Sequence, residues 1–196
     1  MDVGARCASM LAQLGESPEN SEAVKHGVDY LLGTQLDDGS WYGRWGMNYI
    51  YGTWSVLCAL NACGLGREHP AMHKAAQWLT AIQNEDGGWG EDGDSYKLDY
   101  RGYEPAPSTA SQTAWALLGL MACGEIDSPA VKRGVTYLLE HQGDDGFWDE
   151  ERFTATGFPR VFYLRYHGYA KFFPLWALAR YRNLTRSNER KVQYGM

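Results

Sequence analysis

Two segments of the sequence concentrate aromatic side chains to a degree that suggests a chemical role. The segment at residues 153–169 contains Phe153, Phe158, Phe162, Tyr163, Tyr166 and Tyr169. The segment at residues 41–51 contains Trp41, Tyr42, Trp45, Tyr49 and Tyr51. An aromatic ring offers a cation a negative π face, worth roughly 0.5 to 2 kcal/mol per contact, and has no lone pair that could trap it. A cavity lined by such rings therefore suits carbocation chemistry on a hydrocarbon, although rings that only fill a core remain an open alternative.

A repeat at a spacing of roughly 50 residues indicates which elements position these segments. Gln, three residues, Gly, one residue and Trp recur as Gln35 and Trp41, Gln83 and Trp89, and Gln142 and Trp148. Each copy follows apolar residues at i, i+3 and i+4, which predicts an amphipathic outer helix that stops at the Gly. A side-chain amide in the last turn of a helix can donate to free carbonyls, so we expect structural roles for these Gln and Trp residues.

A second and more apolar segment follows each of these turns. Residues 51–64, 107–124 and 166–181 each predict an inner helix that is buried on most sides, and residues 2–15 have the same character. The pattern predicts an all-α fold of outer and inner helical hairpins, either an incomplete α/α barrel (toroid) of about seven helices or a solenoid. We expect residues 1–196 to be the C-terminal part of such a barrel domain, with residues 184–196 as a polar, frayed tail.

Composition narrows the possible classes of function. The chain has 24 acidic and 18 basic residues and a net charge of −6, which argues against a nucleic-acid partner. Cys7, Cys58, Cys63 and Cys123 fall on predicted inner helices, so we expect reduced core thiols. We expect no metal and no cofactor, because the cysteines form no Cys-x-x-Cys pair. The sequence shows neither a signal peptide nor an apolar run long enough to span a bilayer.

On these residues the chain resembles the triterpene cyclases. The Gln-x-x-x-Gly-x-Trp copies resemble the QW motifs of that superfamily, and residues 39–53 and 154–169 resemble the C-terminal third of bacterial squalene-hopene cyclases. The resemblance implies two α/α barrels around an aromatic-lined cavity and proton-initiated cyclisation of squalene to hopene through carbocations. It also implies a cytoplasmic enzyme that sits monotopically on the cell membrane, and a possible homodimer.

The same resemblance implies roles for individual side chains. It implies that the rings facing successive cations are Trp45, Phe158 and Phe162. It implies that the residues shaping the cavity wall are Leu164, Tyr166 and Tyr169. It implies that the residues supporting the general acid are Asp2, Arg6 and Tyr51.

The general acid itself is absent from the sequence. Squalene cyclases protonate their substrate with the middle Asp of an Asp-x-Asp-Asp motif, and no such tetrapeptide occurs here. We therefore expect the isolated chain to be inactive and to need the missing N-terminal part of the cyclase, through which it would contact the membrane surface. A non-catalytic remnant, or a structural partner of a split cyclase, is the alternative.

Two other classes of α/α-barrel enzyme remain open from the residues alone. A glycosidase would use two carboxylates, for which the candidates are Asp92, Asp94, Asp99 and Glu104. An ordinary solvated loop explains these acids equally well. A protein prenyltransferase β-subunit would need Asp, Cys and His ligands around zinc, whereas the histidines here fall mainly on predicted outer helices or turns.

Overall fold

The computed structural model describes residues 1–97 and 102–195. The helices in this part of the chain are α1 (Asp2–Gln13), α2 (Glu22–Gly33), α3 (Asn48–Ala62), α4 (Pro70–Ala81), α5 (Ala110–Ala122), α6 (Pro129–Glu140) and α7 (Tyr169–Arg186). The strands are β1 (Trp89–Glu91), β2 (Pro105–Thr109), β3 (Ala155–Phe158) and β4 (Phe162–Leu164). A short 3-10 helix at Gly93–Tyr96 follows β1.

The helices form two layers. Helices α1, α3, α5 and α7 pack side by side in one row, while α2, α4 and α6 pack against that row from outside. Every residue of α5 is buried, as expected for an inner helix without charged side chains. The outer helix α6 is amphipathic instead and buries Val131, Val135 and Leu138 along one stripe. The predicted α/α architecture of alternating outer and inner helices is confirmed.

The ends of the outer helices follow from local sequence. Helix α6 begins where the Ser128 hydroxyl accepts the Val131 N–H and Pro129 occupies the first turn. After each outer helix the chain reverses at a glycine of the repeat. Gly39, Gly87 and Gly146 have φ angles of 100°, 88° and 82°, a left-handed region that other residues rarely adopt.

The long connections after the outer helices contain regular structure that the sequence analysis did not predict. Strands β1 and β2 pair antiparallel, and β3 pairs with β4 in the same way. Because residues 105–109 belong to β2, α5 begins at Ala110 and not at the predicted residue 107. Helix α3 begins at Asn48, earlier than the predicted residue 51, because a buried carboxylate at the end of β1 accepts the N–H groups of its first turn.

Two further expectations are wrong. Cys7 is exposed on α1, whereas Cys58, Cys63 and Cys123 are buried as expected. The tail does not fray over its described part, because the Gly195 N–H donates to Asn61 Oδ1 at 2.8 Å. The carbonyl of Gly195 in turn accepts from the buried Arg180 guanidinium at 3.1 Å. The tail therefore docks against the ends of α3 and α7.

Candidate functional site

The repeat residues tie each outer helix to the turn that follows it. The indole N–H groups of Trp41, Trp89 and Trp148 each donate to a leucine carbonyl ten residues earlier, at 2.7 Å in all three copies. The amide of Gln83 donates to the Gly87 carbonyl at 2.7 Å and to the Ala130 carbonyl of the next outer helix at 2.9 Å. Gln35 makes the equivalent pair of bonds, while the amide of Gln142 donates to the Gly146 carbonyl at 2.8 Å. The indoles thus satisfy carbonyls in the last turns of the outer helices, whereas the amides bind carbonyls of the turn and, for Gln35 and Gln83, of the next outer helix.

Two of the three rings expected to face cations contact one guanidinium, and the third packs on one of them. Arg44 places its guanidinium carbon 4.5 Å from the ring centroid of Trp45 and 5.7 Å from that of Phe158. The Phe158 ring meets the Phe162 ring edge to face at 5.6 Å between centroids. We call these four side chains the Arg44 cluster. Its rings remain 45 to 59% exposed, so they have free faces on the surface of the chain.

Hydrogen bonds between the segment before α3 and strand β3 hold the Arg44 cluster together. The Arg44 guanidinium donates to Thr156 Oγ1 and to the Gly157 carbonyl, each at 3.2 Å. The Thr156 hydroxyl donates in return to the Arg44 carbonyl. The segment before α3 is thereby fixed to strand β3. Arg44 was not predicted from the sequence, where nothing distinguishes it from a surface arginine.

Asp2 anchors the same segment from α1. Its side chain is almost fully buried, and Oδ2 accepts the backbone N–H of Arg44 at 3.0 Å and of Trp45 at 2.8 Å. Hydrogen bonds from backbone N–H groups to a carboxylate are stronger than those between neutral groups, so they hold this segment firmly to α1. The structure thus brings Asp2, predicted to support the acid, to Trp45, predicted to face the cations.

A second group of rings fills the space between α3, α5 and α7. Trp54 stacks on Trp115 at 5.9 Å between centroids, and Tyr51 packs edge to face on both rings. Tyr169 contacts Trp115 at 5.7 Å, and Phe173 contacts Trp54, Trp115 and Tyr169. We call these five side chains the inner aromatic cluster. Of these five, only Tyr51 and Tyr169 were predicted to be site residues. The other three lie in apolar helical segments, where the sequence does not distinguish them from core residues.

Arg6 covers one end of the inner aromatic cluster. Its guanidinium carbon lies 4.2 Å from the centroid of the Trp54 ring, and Nη2 donates to Ser55 Oγ at 3.4 Å. Burial raises the pKa of Tyr51, and the positive charge of Arg6 and a hydrogen bond to it oppose that rise. Tyr51 therefore keeps its proton at neutral pH beside a fixed cation.

The remaining predicted wall residues flank these two groups. Leu164 is half-buried at the end of β4, where it pairs with Ala155. Tyr166 is about half exposed, and its ring lies 4.9 Å from that of Tyr169 between centroids. The predicted wall residues thus lie near the N-terminal ends of the inner helices α3 and α7.

Two glutamates that the sequence analysis missed, the buried Glu91 and the partly buried Glu150, bind the N-terminal ends of the inner helices. Glu91 accepts backbone N–H groups of α3, and Glu150 accepts the Ser111 N–H of α5 at 2.9 Å. Burial raises the pKa of both carboxyls, for Glu91 to about 7. A signal was present in the sequence, because each glutamate stands two residues after a repeat tryptophan.

Two of the four carboxylates considered for a glycosidase form ion pairs at the surface. Asp92 pairs with Arg152 at 2.5 Å and Asp94 with Lys97 at 2.8 Å. The Glu104 carbonyl accepts the Asp92 N–H at 2.9 Å. Asp99 lies outside the described residues.

Metal-binding and membrane-spanning features were sought in the same part of the chain. His69 and His73 are one helical turn apart, but His69 Nδ1 accepts the Ala71 N–H and caps α4. Within residues 1–97 and 102–195, no three His, Cys, Asp or Glu side chains lie close enough together to hold a metal ion. Nor does any helix in those ranges have the length and apolarity needed to cross a membrane.

Comparison with known proteins places this arrangement in a family. A family model described as the squalene-hopene cyclase C-terminal domain matches residues 1–183. A squalene-hopene cyclase from Bradyrhizobium diazoefficiens is 69% identical over 195 residues, covering 100% of this chain and 30% of the relative. One from Zymomonas mobilis is 63% identical over 196 residues, with the same coverage. The chain thus spans about 30% of the length of these relatives.

A solved structure agrees on the fold. The type II terpene cyclase MstE from Scytonema, in complex with merosterolic acid A, superposes with a TM-score of 0.54 at 21% identity. The match covers 87% of this chain and 49% of that one. The chain therefore belongs to the squalene-hopene cyclase family, within which it corresponds to the C-terminal domain.

Proposed function

We propose that this chain supplies an aromatic wall for the proton-initiated cyclisation of squalene to hopene-type triterpenes. The observation that carries the proposal is the Arg44 cluster, in which Trp45, Phe158 and Phe162 converge and keep about half of their surface free. π faces held on a braced scaffold can stabilise a passing carbocation without reacting with it. The family of the chain supports squalene as the substrate.

We further propose that the proton comes from an acid outside these 196 residues. No Asp-x-Asp-Asp motif occurs among them. Asp2 Oδ2 already accepts two backbone N–H groups. This arrangement suits Asp2 to supporting the acid and not to donating the proton itself. Arg6 and Tyr51 would then orient the acid from the end of the inner aromatic cluster.

The partner that supplies this acid would cover the two ends of the inner row. Helix α1 exposes Val3 and Met10, and α7 exposes Phe172 and Leu175, each at more than half of its surface. Apolar side chains at both ends of a helical row suit further helices of the same kind. In this proposal the N-terminal part of a cyclase completes the barrel and carries the contact with the membrane surface, and the assembly can pair as a homodimer.

The test combines the chain with that part of a relative. The chain is incubated with squalene, alone and with the remaining 70% or so of the Bradyrhizobium diazoefficiens enzyme, and the products are separated by gas chromatography. We expect pentacyclic products only from the combination. Phe162→Ala is expected to shift the combination toward products with fewer rings, whereas Tyr30→Ala, on the outer helix α2, leaves them unchanged. Turnover by the chain alone would contradict the proposal that its acid lies elsewhere.

A non-catalytic structural partner is the second candidate, favoured by the same exposed faces of α1 and α7. It predicts that the chain binds the N-terminal part without forming any cyclic product. If the chain co-purified with the N-terminal part and gas chromatography showed no cyclic product, this second candidate would be favoured over the first.

A further inference from the structure

Glu91 is a buried carboxylate with no role in the proposed chemistry. It lies at the end of β1 and is 1% exposed. Its carboxylate accepts the backbone N–H groups of Asn48 and Ile50 at 2.9 Å and of Tyr49 at 3.0 Å. These are the first three residues of α3, whose N–H groups have no partner within the helix. One side chain therefore fixes the start of α3.

Glu91 is itself held from the neighbouring inner helix. Its backbone N–H donates to Gln112 Oε1 and its carbonyl accepts from Gln112 Nε2, both at 3.1 Å. Gln112 is fully buried on α5, and its Oε1 also accepts from Thr109. Because both the main chain and the side chain of Glu91 are engaged, it joins α5 rigidly to α3.

The same region braces the segment that carries Trp45. Asn48 Oδ1 accepts the Gly43 N–H at 3.1 Å, and Asn48 Nδ2 donates to the Ser95 carbonyl at 3.2 Å. The Tyr96 hydroxyl lies 2.8 Å from the Gly43 carbonyl and 2.7 Å from the Gly46 carbonyl. Residues 43–48 are thus attached to residues 91–96 as well as to Asp2.

We infer that Glu91 is a positioning residue that sets the places of Trp45 and Tyr51 relative to each other. Tyr51 follows directly after the three residues that Glu91 binds, and Trp45 precedes them in the braced segment. The importance of this placement for catalysis rests on the proposed function. The placement itself can be measured on the chain alone.

The carboxylate is the suitable group because it offers lone pairs to three donors at once. In Glu91→Gln the amide nitrogen would face backbone N–H groups, so one of the two acceptor atoms becomes a donor. We expect this variant to keep the fold and to loosen the first turn of α3. Asp86→Asn is the matched control, since Asp86 accepts from Gly88 and Ser108 in the repeat turn.

The test uses fluorine NMR of the chain labelled with 5-fluorotryptophan, with the Trp45 resonance assigned through Trp45→Phe. In Glu91→Gln the Trp45 resonance is expected to shift or broaden. Asp86→Asn is expected to leave Trp45 unchanged. An unshifted Trp45 resonance in folded Glu91→Gln overturns the inference.

The wild-type chain supplies an independent check if the variant does not fold. Burial raises the pKa of Glu91 to about 7, so the Trp45 resonance is expected to titrate near neutral pH. Tyr96 and Tyr103, the titratable groups that interact with Glu91, have pKa values raised by burial and stay protonated in that range. A flat Trp45 titration in the wild-type chain also overturns the inference.

An activity measurement separates this inference from the proposed function. In the combination with the N-terminal part of the relative, Glu91→Gln is expected to lower kcat about tenfold with KM nearly unchanged, because misplaced rings weaken transition-state stabilisation. If the wild-type combination makes no polycycle, the proposed function fails, while the fluorine spectra still decide the placement.

Discussion

Replacement of the repeat glutamines by alanine is expected to destabilise the chain by an amount that depends on the copy. Gln83 donates to the carbonyls of Gly87 and Ala130 and accepts from Arg133, so Gln83→Ala removes contacts within and between repeats. At about 1 kcal/mol net for each hydrogen bond, the expected loss is about 2 to 3 kcal/mol. Gln142 is exposed and donates to Gly146, so the expected loss for Gln142→Ala is only about 1 kcal/mol.

The difference can be read from urea unfolding followed by circular dichroism. Both substitutions remove the same atoms at equivalent positions of the repeat, so Gln142→Ala serves as the control for the local turn. In a chain of this size each kcal/mol lowers Tm by roughly 2 to 4 °C, which gives a second reading. Gln35→Ala should behave like Gln83→Ala, because Gln35 also reaches the next outer helix at Ala71. Equal losses in all three variants would refute a contribution from the bond between repeats.

Three further predictions concern other parts of the structure. Trp89→Phe leaves the Leu79 carbonyl without its donor at 2.7 Å and should cost about 2 kcal/mol in urea unfolding. Asp2→Ala frees two backbone N–H groups and should speed hydrogen exchange at Trp45, measured by mass spectrometry, with no change at Trp89. Because burial raises the pKa of Glu91 from 4.5 to about 7, the folded chain holds a proton between these pH values that the unfolded chain has lost. Its contribution to stability should therefore grow by up to about 3 kcal/mol as the pH falls from 7 to 4.5, and Glu91→Gln should flatten that slope in pH-dependent urea unfolding.

The order of the helices could be predicted from the sequence because its determinants are local. Each outer helix carries an apolar stripe, and each turn has a glycine at a positive φ, as at Gly39 and Gly87. The strands could not be predicted in this way. Ala155 pairs with Leu164 within a hairpin that has no strong turn signal, and Trp89 pairs with Thr109 across a long connection. Such pairing depends on tertiary packing more than on propensity.

The aromatic residues of the candidate site could be predicted from the sequence, but most of the residues that hold them in place could not. Trp45 and Phe158 stand out by composition and by their resemblance to a family, but Arg44 between them has no local signature. The start of α3 was misplaced for a similar reason. It depends on Glu91, which lies more than forty residues away and is brought to the helix only by the fold.

The spacing of the repeat contacts has a consequence for the order of folding. Each indole of the repeat bonds a carbonyl only ten residues earlier, as Trp41 does to Leu31. By contrast, Arg44 and Thr156 are separated by 112 positions. Closing a short loop costs less chain entropy and is faster than closing a long one. We expect the ends of the outer helices to form early, even on a growing nascent chain, and the Arg44 cluster to assemble in the last step of folding.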